Sequence, residues 1–225
     1  MMDVLRHSSA HVFVDDVRSP VLKQDDAHHL AKVLRLRNGE TVTCSNGVNA
    51  WRECAWNDGS LTVVGDVIDV EAPTPALRVV VAPIKGDKTD LVIEKLVEIG
   101  IDDVVILLPV DHSVVRWASE KTSQVMARYE RIARAAAMQS RRVSLPTIAG
   151  PVSLDSVIGP SVGFAEPGGS ASWSDVTTLV IGPEGGFSST EVAMAPATIS
   201  LGTGILRAET AAIVGAALMV AHWRG

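Results

Sequence analysis

Two glycine-rich segments hold the residues best suited to chemistry. Ile181-Gly-Pro-Glu-Gly-Gly-Phe187 and Leu201-Gly-Thr-Gly-Ile-Leu-Arg-Ala-Glu-Thr-Ala211 each follow a short apolar run, and each precedes a helical pattern. Glycines in such a place let the main chain approach a ligand and adopt positive φ. In open α/β sheets, ligands bind beyond the carboxyl ends of the strands. A tight strand-to-helix turn is the plain alternative for either segment taken alone. Neither is a P-loop, because no Gly-Lys-Ser/Thr follows, and neither has the G-x-G-x-x-G spacing of a dinucleotide site. Arg207 is the most informative residue of the second segment. A cation at a helix N-terminus is unfavourable unless it meets an anion, whereas Glu209 is favoured there by the helix dipole alone.

Two polar segments fall on the same rim if the sheet is parallel. They are Lys85-Gly-Asp-Lys88 and Asp111-His-Ser-Val-Val-Arg116, and either alone reads as ordinary loop. Other chemistries lack their residues. There is no H-E-x-x-H and no cysteine pair at zinc spacing, and His28-His29 reads as surface, so no metal site is expected. No G-x-S-x-G nucleophile elbow is present. The carboxylates are scattered, which gives a glycosidase pair no footing. The five tryptophans (51, 56, 117, 173 and 223) read as packing, with Trp117 beside Arg116 the one suited to stacking on a base.

Alternating strands and helices must position the two glycine loops. After residue 76 the pattern predicts strands over Leu77–Ile84, Val104–Leu108, Val162–Ala165, Leu179–Ile181 and Thr198–Leu201. It predicts helices over Thr89–Ile99, Ser119 to about Ser140, and Ala208–Trp223. Gly100 stands at a helix stop, and Ser188-Ser-Thr-Glu191 has the spacing of a capping box. This alternation means a mainly parallel α/β sheet. Before residue 70 the pattern is different. Asp26 is placed to cap a helix over Ala27–Leu36. Runs at Thr41–Ser45, Val48–Ala55 and Leu61–Val70 are separated by Asn46-Gly47 and Asn57-Asp58-Gly59, which predicts hairpins closing a small β-barrel. Glu71–Ala76, with two prolines, reads as the linker. The expected domains are therefore 1–72 and 73–225.

The chain has 225 residues, 47% hydrophobic and 20% charged. It is long enough to bury a core without staples, and its composition excludes a disordered chain. Two cysteines, Cys44 and Cys54, exclude a disulfide scaffold, and a reduced state in a cytoplasm is expected. The first residues, MMDVLRHSSAHVFVDD, carry no signal-peptide core. Ala211–Ala221, the most apolar stretch, is shorter than the roughly 20 residues that span a bilayer. The net charge is −6, yet His112–Arg142 holds seven basic residues against two acidic ones. A basic stripe on an acidic protein fits local contact with a polyanion; a solvated helix face is the bland alternative.

Together the segments IGPEGGF (181–187) and LGTGILRAETA (201–211) resemble the paired C-terminal signature of the 16S ribosomal RNA uracil-N3 methyltransferase family, within the SPOUT superfamily of knotted, S-adenosylmethionine-dependent methyltransferases. HHLAKVLRLRNGE (28–40), KGDKTDLVIEKLVEIGI (85–101), HSVVRW (112–117) and AAAMQSRRVSLPTI (135–148) resemble other parts of the same family in order and spacing, so nearly the whole chain is covered. The resemblance implies a PUA-like barrel followed by an α/β domain with a deep C-terminal trefoil knot. It also implies a homodimer, with substrate at the subunit interface. S-adenosylmethionine would be held by Glu166, Ile181, Gly182, Pro183, Glu184, Gly185, Gly186, Leu201, Gly202, Ile205, Leu206 and Thr210. Arg207 and Glu209 would be catalytic, Arg207 as a cation that stabilises developing negative charge or holds a phosphate, and Glu209 as a proton acceptor. Lys32, Arg35, Lys85, His112, Arg116, Arg134, Arg141 and Arg142 would bind RNA. The implied substrate is a uridine of 16S RNA in the small ribosomal subunit, near the decoding centre, and the implied setting is the cytoplasm. The family pattern usually carries arginine where this chain has His112 and Gly204. That departure motivates an alternative: an RNA-binding or assembly factor that keeps the fold without catalysis.

Overall fold

The computed structural model describes residues 2–116 and 118–225. The chain divides into two compact units. The first comprises the residues up to Pro73 together with Arg134–Leu145, and the second comprises Thr74–Ala133 and Pro146–Gly225. The return of 134–145 to the first unit was not anticipated, because a helical period does not announce which core a helix end joins. Trp117 and any stacking role for it lie outside the described residues.

In the first unit, helix α1 (Met2–His7) leads into β1 (Ala10–Phe13), and α2 (Gln24–His28) continues as a π-helical turn over His29–Val33. Strands β2 (Thr41–Ser45), β3 (Ala50–Asn57) and β4 (Ser60–Asp69) follow, giving a sheet of order β1-β2-β3-β4. β1 runs parallel to β2, and the other neighbours are antiparallel. The Asn46 side chain shapes the β2–β3 turn by accepting the N–H groups of Val48, Asn49 and Ala50. Val12, Leu30, Val42, Cys44, Cys54 and Trp56 form the core. Asp26 is not a helix cap: Lys23 occupies that position. Asp26 lies within α2, buried, and its carboxylate takes a two-pronged bond from Arg134 at 2.7 and 3.0 Å.

The second unit is built on a six-stranded sheet of order β10-β8-β9-β5-β6-β7. Its strands are β5 (Arg78–Val81), β6 (Asp103–Leu107), β7 (Thr147–Val152), β8 (Val162–Ser170), β9 (Thr178–Ile181) and β10 (Ala197–Ile199). All five pairings are parallel, as the alternation required. Helices α3 (Lys88–Ile99), α4 (Ser119–Gln139), α5 (Ser189–Val192) and α6 (Ala208–Arg224) connect or flank them. Within α3, Val92, Ile93, Leu96 and Val97 are fully buried, each worth about 1.5–3 kcal/mol relative to exposure. Gly100 ends the helix at φ 109°, a conformation that favours glycine.

β7 was missed because Gly150 and Pro151 sit inside it. Both residues argue against a strand, and such residues are tolerated at a sheet edge, where β7 lies. A Cβ on Gly150 would stand 2.4 Å from the Ile106 carbonyl oxygen, so glycine there permits the close pairing with β6. Trp51, Trp56 and Trp173 are buried, and Trp223 donates to the Val176 carbonyl. These four pack as expected.

Candidate active site

The parallel sheet sends the loops after β5, β6, β9 and β10 to the carboxyl ends of their strands, and the candidate site is built there. The loop after β9 is held on several sides. Gly182 faces the Phe187 ring, which a Cβ would meet at 3.0 Å, and Phe187 packs on Phe164 with centroids 4.8 Å apart. Gly186, at φ 73°, closes a turn by donating its N–H to the Pro183 carbonyl. The Glu184 carboxylate accepts the Lys85 N–H at 2.9 Å. His112 lies against Gly185, where a Cβ would come within 2.8 Å of the histidine Cβ, and its Nδ1 is 3.1 Å from the Gly186 carbonyl oxygen.

The capping box after this loop is present. The Ser188 side chain accepts the Glu191 N–H, and Glu191 Oε2 accepts the Ser188 N–H. The other Glu191 oxygen accepts the Asp111 N–H at 2.8 Å, so one buried carboxylate ties α5 to the loop after β6. The capping pattern identified Glu191 as a local residue, but nothing in the sequence marked this second contact.

The loop after β10 is open by contrast. Cβ atoms at Gly202 and Gly204 would meet nothing within 4 Å. Beside it lies an open cleft of about 70 Å³, lined by Ala165, Glu166, Pro167, Leu201, Gly202, Gly204, Leu206 and Ala211. Its wall is largely apolar, and its carboxyl group, Glu166, has its pKa raised by burial. Ile181 and the 182–186 loop do not line this cleft. Nor do Ile205, which is 89% exposed, and Thr210, whose side chain is exposed.

The two glycine loops are tied to one short segment. Lys85, at one end of Lys85–Lys88, bonds Glu184 of the first loop. Lys88, at the other end, forms an ion pair with Glu209 at 2.8 Å. The Lys88 bond, foremost, holds the Glu209 carboxyl below the usual range. The second oxygen of that carboxylate, Oε2, is buried with no hydrogen-bond partner among the described residues. Arg207 occupies the N-cap position of α6 with extended backbone and no side-chain capping bond, and its side chain is exposed. It is a cation where the helix dipole favours an anion.

The expected RNA-binding residues separate into two groups. Lys32, Arg35, Lys85, His112 and Arg116 are exposed. Arg116 also lines a second open depression with Asp111, Asp155 and Met194. Arg134 and Arg141 are engaged within the first unit. Arg134 bonds Asp26 and lies 5.7 Å from the Phe13 ring centroid, while Arg141 donates to the carbonyls of Ser8 and Met138. Arg142 is half-buried. Among the described residues no group of three histidine, cysteine or acidic side chains is placed to hold a metal ion, and no helix is long and apolar enough to cross a membrane.

A family model for an RNA methyltransferase domain matches residues 70–220, and one for an RNA methyltransferase PUA domain matches residues 22–60. The ribosomal RNA small subunit methyltransferase E of Mycobacterium bovis is 28% identical over 218 residues, covering 86% of this chain and 83% of that protein. Its namesake from Bacillus subtilis is 26% identical over 216 residues, covering 83% and 84%. Among solved structures, a Legionella pneumophila protein in complex with the bound cofactor SAM is similar with a TM-score of 0.80 and 26% identity, covering 94% of this chain and 97% of that one. With a matched domain that spans the parallel sheet and both glycine loops, this chain belongs to the RNA methyltransferase family.

Proposed function

We propose that this protein methylates N3 of a uridine in 16S ribosomal RNA of the small subunit, near the decoding region, with S-adenosylmethionine as donor. The single observation that carries the reading is the tethering of both glycine loops to Lys85–Lys88, one through Glu184 and the other through Glu209. The relatives named for small-subunit RNA methylation, and the SAM-bound Legionella structure, support the same reading.

The residues present fit the donor. Leu201, Leu206, Ala165 and Ala211 offer apolar wall, Gly202 and Gly204 leave the main chain uncovered, and the Glu166 carboxyl is available to a cationic or hydroxyl-bearing part of the ligand. When bound, the donor supplies an electrophilic methyl on sulfur. The apolar wall of the cleft would orient the ligand, and alignment of this kind supplies much of the rate in a displacement. Arg207, an exposed cation, is suited to the negative charge that develops on the uridine carbonyls as N3 loses its proton. Lys32, Arg35, Lys85 and Arg116 are suited to phosphate contacts, which position RNA without reading sequence. N3 lies on the pairing edge, so the target base must be unpaired or extruded. The reading includes a PUA-like barrel for the first unit, a C-terminal trefoil knot and a homodimeric working unit in the cytoplasm.

The test is nucleoside mass spectrometry of small-subunit RNA treated with the purified protein and S-adenosylmethionine. Appearance of 3-methyluridine is expected. Tight RNA binding without methyl transfer would establish the non-catalytic alternative instead.

A further inference from the structure

We propose that His112 takes the N3 proton of the target uridine through its Nε2 atom. This inference rests on the methyl-transfer reading above and names the base that reading requires. The bond to the Gly186 carbonyl carries it. A carbonyl oxygen only accepts, so Nδ1 must be the protonated nitrogen, and in the neutral ring Nε2 is left with a free lone pair. The side chain is exposed, and its Cβ packs against Gly185 so closely that no larger residue fits there unmoved. An imidazole in a known tautomer, fixed to a glycine loop at the strand ends, is a general base with its acceptor directed away from its anchor.

The neighbouring carboxylates each carry a bond. Glu209 pairs its Oε1 with Lys88 while its Oε2 is buried without a partner among the described residues, Glu184 accepts from Lys85, and Glu191 accepts from Asp111 and Ser188. Arg116, Asp111, Lys85, Asp87 and Arg207 are the remaining charged groups of the adjoining loops. An imidazole is the side chain whose ordinary chemistry suits proton transfer near neutral pH.

The step balances. The N3–H bond breaks with its electron pair retained by the base ring, and the proton moves to Nε2 to give an imidazolium. The N3 pair forms the new N–CH3 bond as the carbon–sulfur bond of the sulfonium breaks, leaving its pair on a neutral thioether. The imidazolium then returns its proton to water.

H112N tests this, because the asparagine amide can still donate toward the Gly186 carbonyl but offers no comparable base. Calorimetry should give S-adenosylmethionine affinity within about twofold of wild type. Single-turnover methylation of small subunits at pH 7 should fall about 100-fold, the lower range for loss of a general base. Wild type and H112N should differ in the shape of their pH–rate profiles, because H112N has lost the group that takes the proton. H112A with added imidazole provides a second readout, recovering rate in proportion to imidazole. H112N turnover at the wild-type rate, or an unchanged pH profile in both variants, overturns this assignment alone. Absence of 3-methyluridine with the wild-type protein overturns the parent reading and this one together.

Discussion

The first unit and the carboxyl rim of the second use the same residue types in opposite ways. In the first unit, Arg134, Arg141 and His11 are turned inward onto protein partners, while Lys32 and Arg35 stay exposed. Arg134 meets Asp26, Arg141 meets main-chain carbonyls, and His11, 2% exposed, bonds the hydroxyls of Thr43 at 2.8 Å and Ser45 at 3.0 Å. Along the rim, Arg207, Arg116 and Lys85 are exposed, and Gly202 and Gly204 have nothing against them. Groups matched inside a fold hold it together; groups left open at strand ends are available to a ligand. A basic residue in the sequence therefore says little about RNA until its partners are known.

Substitutions at the rim should damage binding or turnover with little loss of stability, and those at the inward-facing residues of the first unit should do the reverse. The largest effect is expected for Gly185→Val. Its side chain would collide with His112 and displace the first glycine loop, so S-adenosylmethionine affinity by calorimetry should drop at least about 100-fold, the cost of backbone displacement in a tight turn exceeding about 2.7 kcal/mol, while the far-ultraviolet spectrum stays native.

The next effect belongs to acid. Burial, with help from nearby Arg141, lowers the His11 pKa to about 4 from 6.5. The folded protein keeps this ring neutral while the unfolded chain takes up a proton below 6.5. The contribution is therefore fully present above that value, is lost as pH falls from 6.5 to 4, and does not change further below 4. By linkage the loss is about 3 kcal/mol. Urea unfolding at pH 7 and pH 4.5 should show it, with a shallower pH dependence in His11→Asn. Equal pH slopes would contradict the inward role of His11.

Arg207→Ala should reduce single-turnover methylation of small subunits about 100-fold, the lower range for losing a group that stabilises developing negative charge, with the melting temperature nearly unchanged. Arg134→Ala makes the opposite comparison. It strands the buried Asp26 carboxylate and should cost about 2 kcal/mol by urea unfolding, the scale of a hydrogen bond to a charged group, while turnover of the folded fraction is kept. If Arg134→Ala instead weakened RNA binding without loss of stability, the division drawn here would fail. The smallest effect is expected for Gly204→Ala. With open space around it, S-adenosylmethionine affinity should stay within about twofold and stability within about 0.5 kcal/mol.

Local patterns were legible where one element explains itself. The apolar period of α3, its stop at Gly100, the Ser188–Glu191 capping box and the alternation that makes a parallel sheet all depend on residues a few positions apart. The two glycine motifs were legible as strand-end loops for the same reason. β7 was concealed because Gly150 and Pro151 are poor strand formers that an edge position and a close approach to Ile106 accommodate. Asp26 looked like a helix cap because its type and position fit one, and a partner 108 residues away claimed it.

By itself the sequence determined the alternating strands and helices of the second unit apart from β7, together with its glycine turns, and hence that two such turns lie at strand ends. Only the tertiary structure decided which charges remain available there: it joined Lys88 to Glu209, withdrew Arg134 and Arg141 into the first unit, and placed His112 on Gly186. The physical reason is that periodicity and turn chemistry act over a few residues, whereas an ion pair or a fixed tautomer depends on a partner brought close by the folding of distant chain.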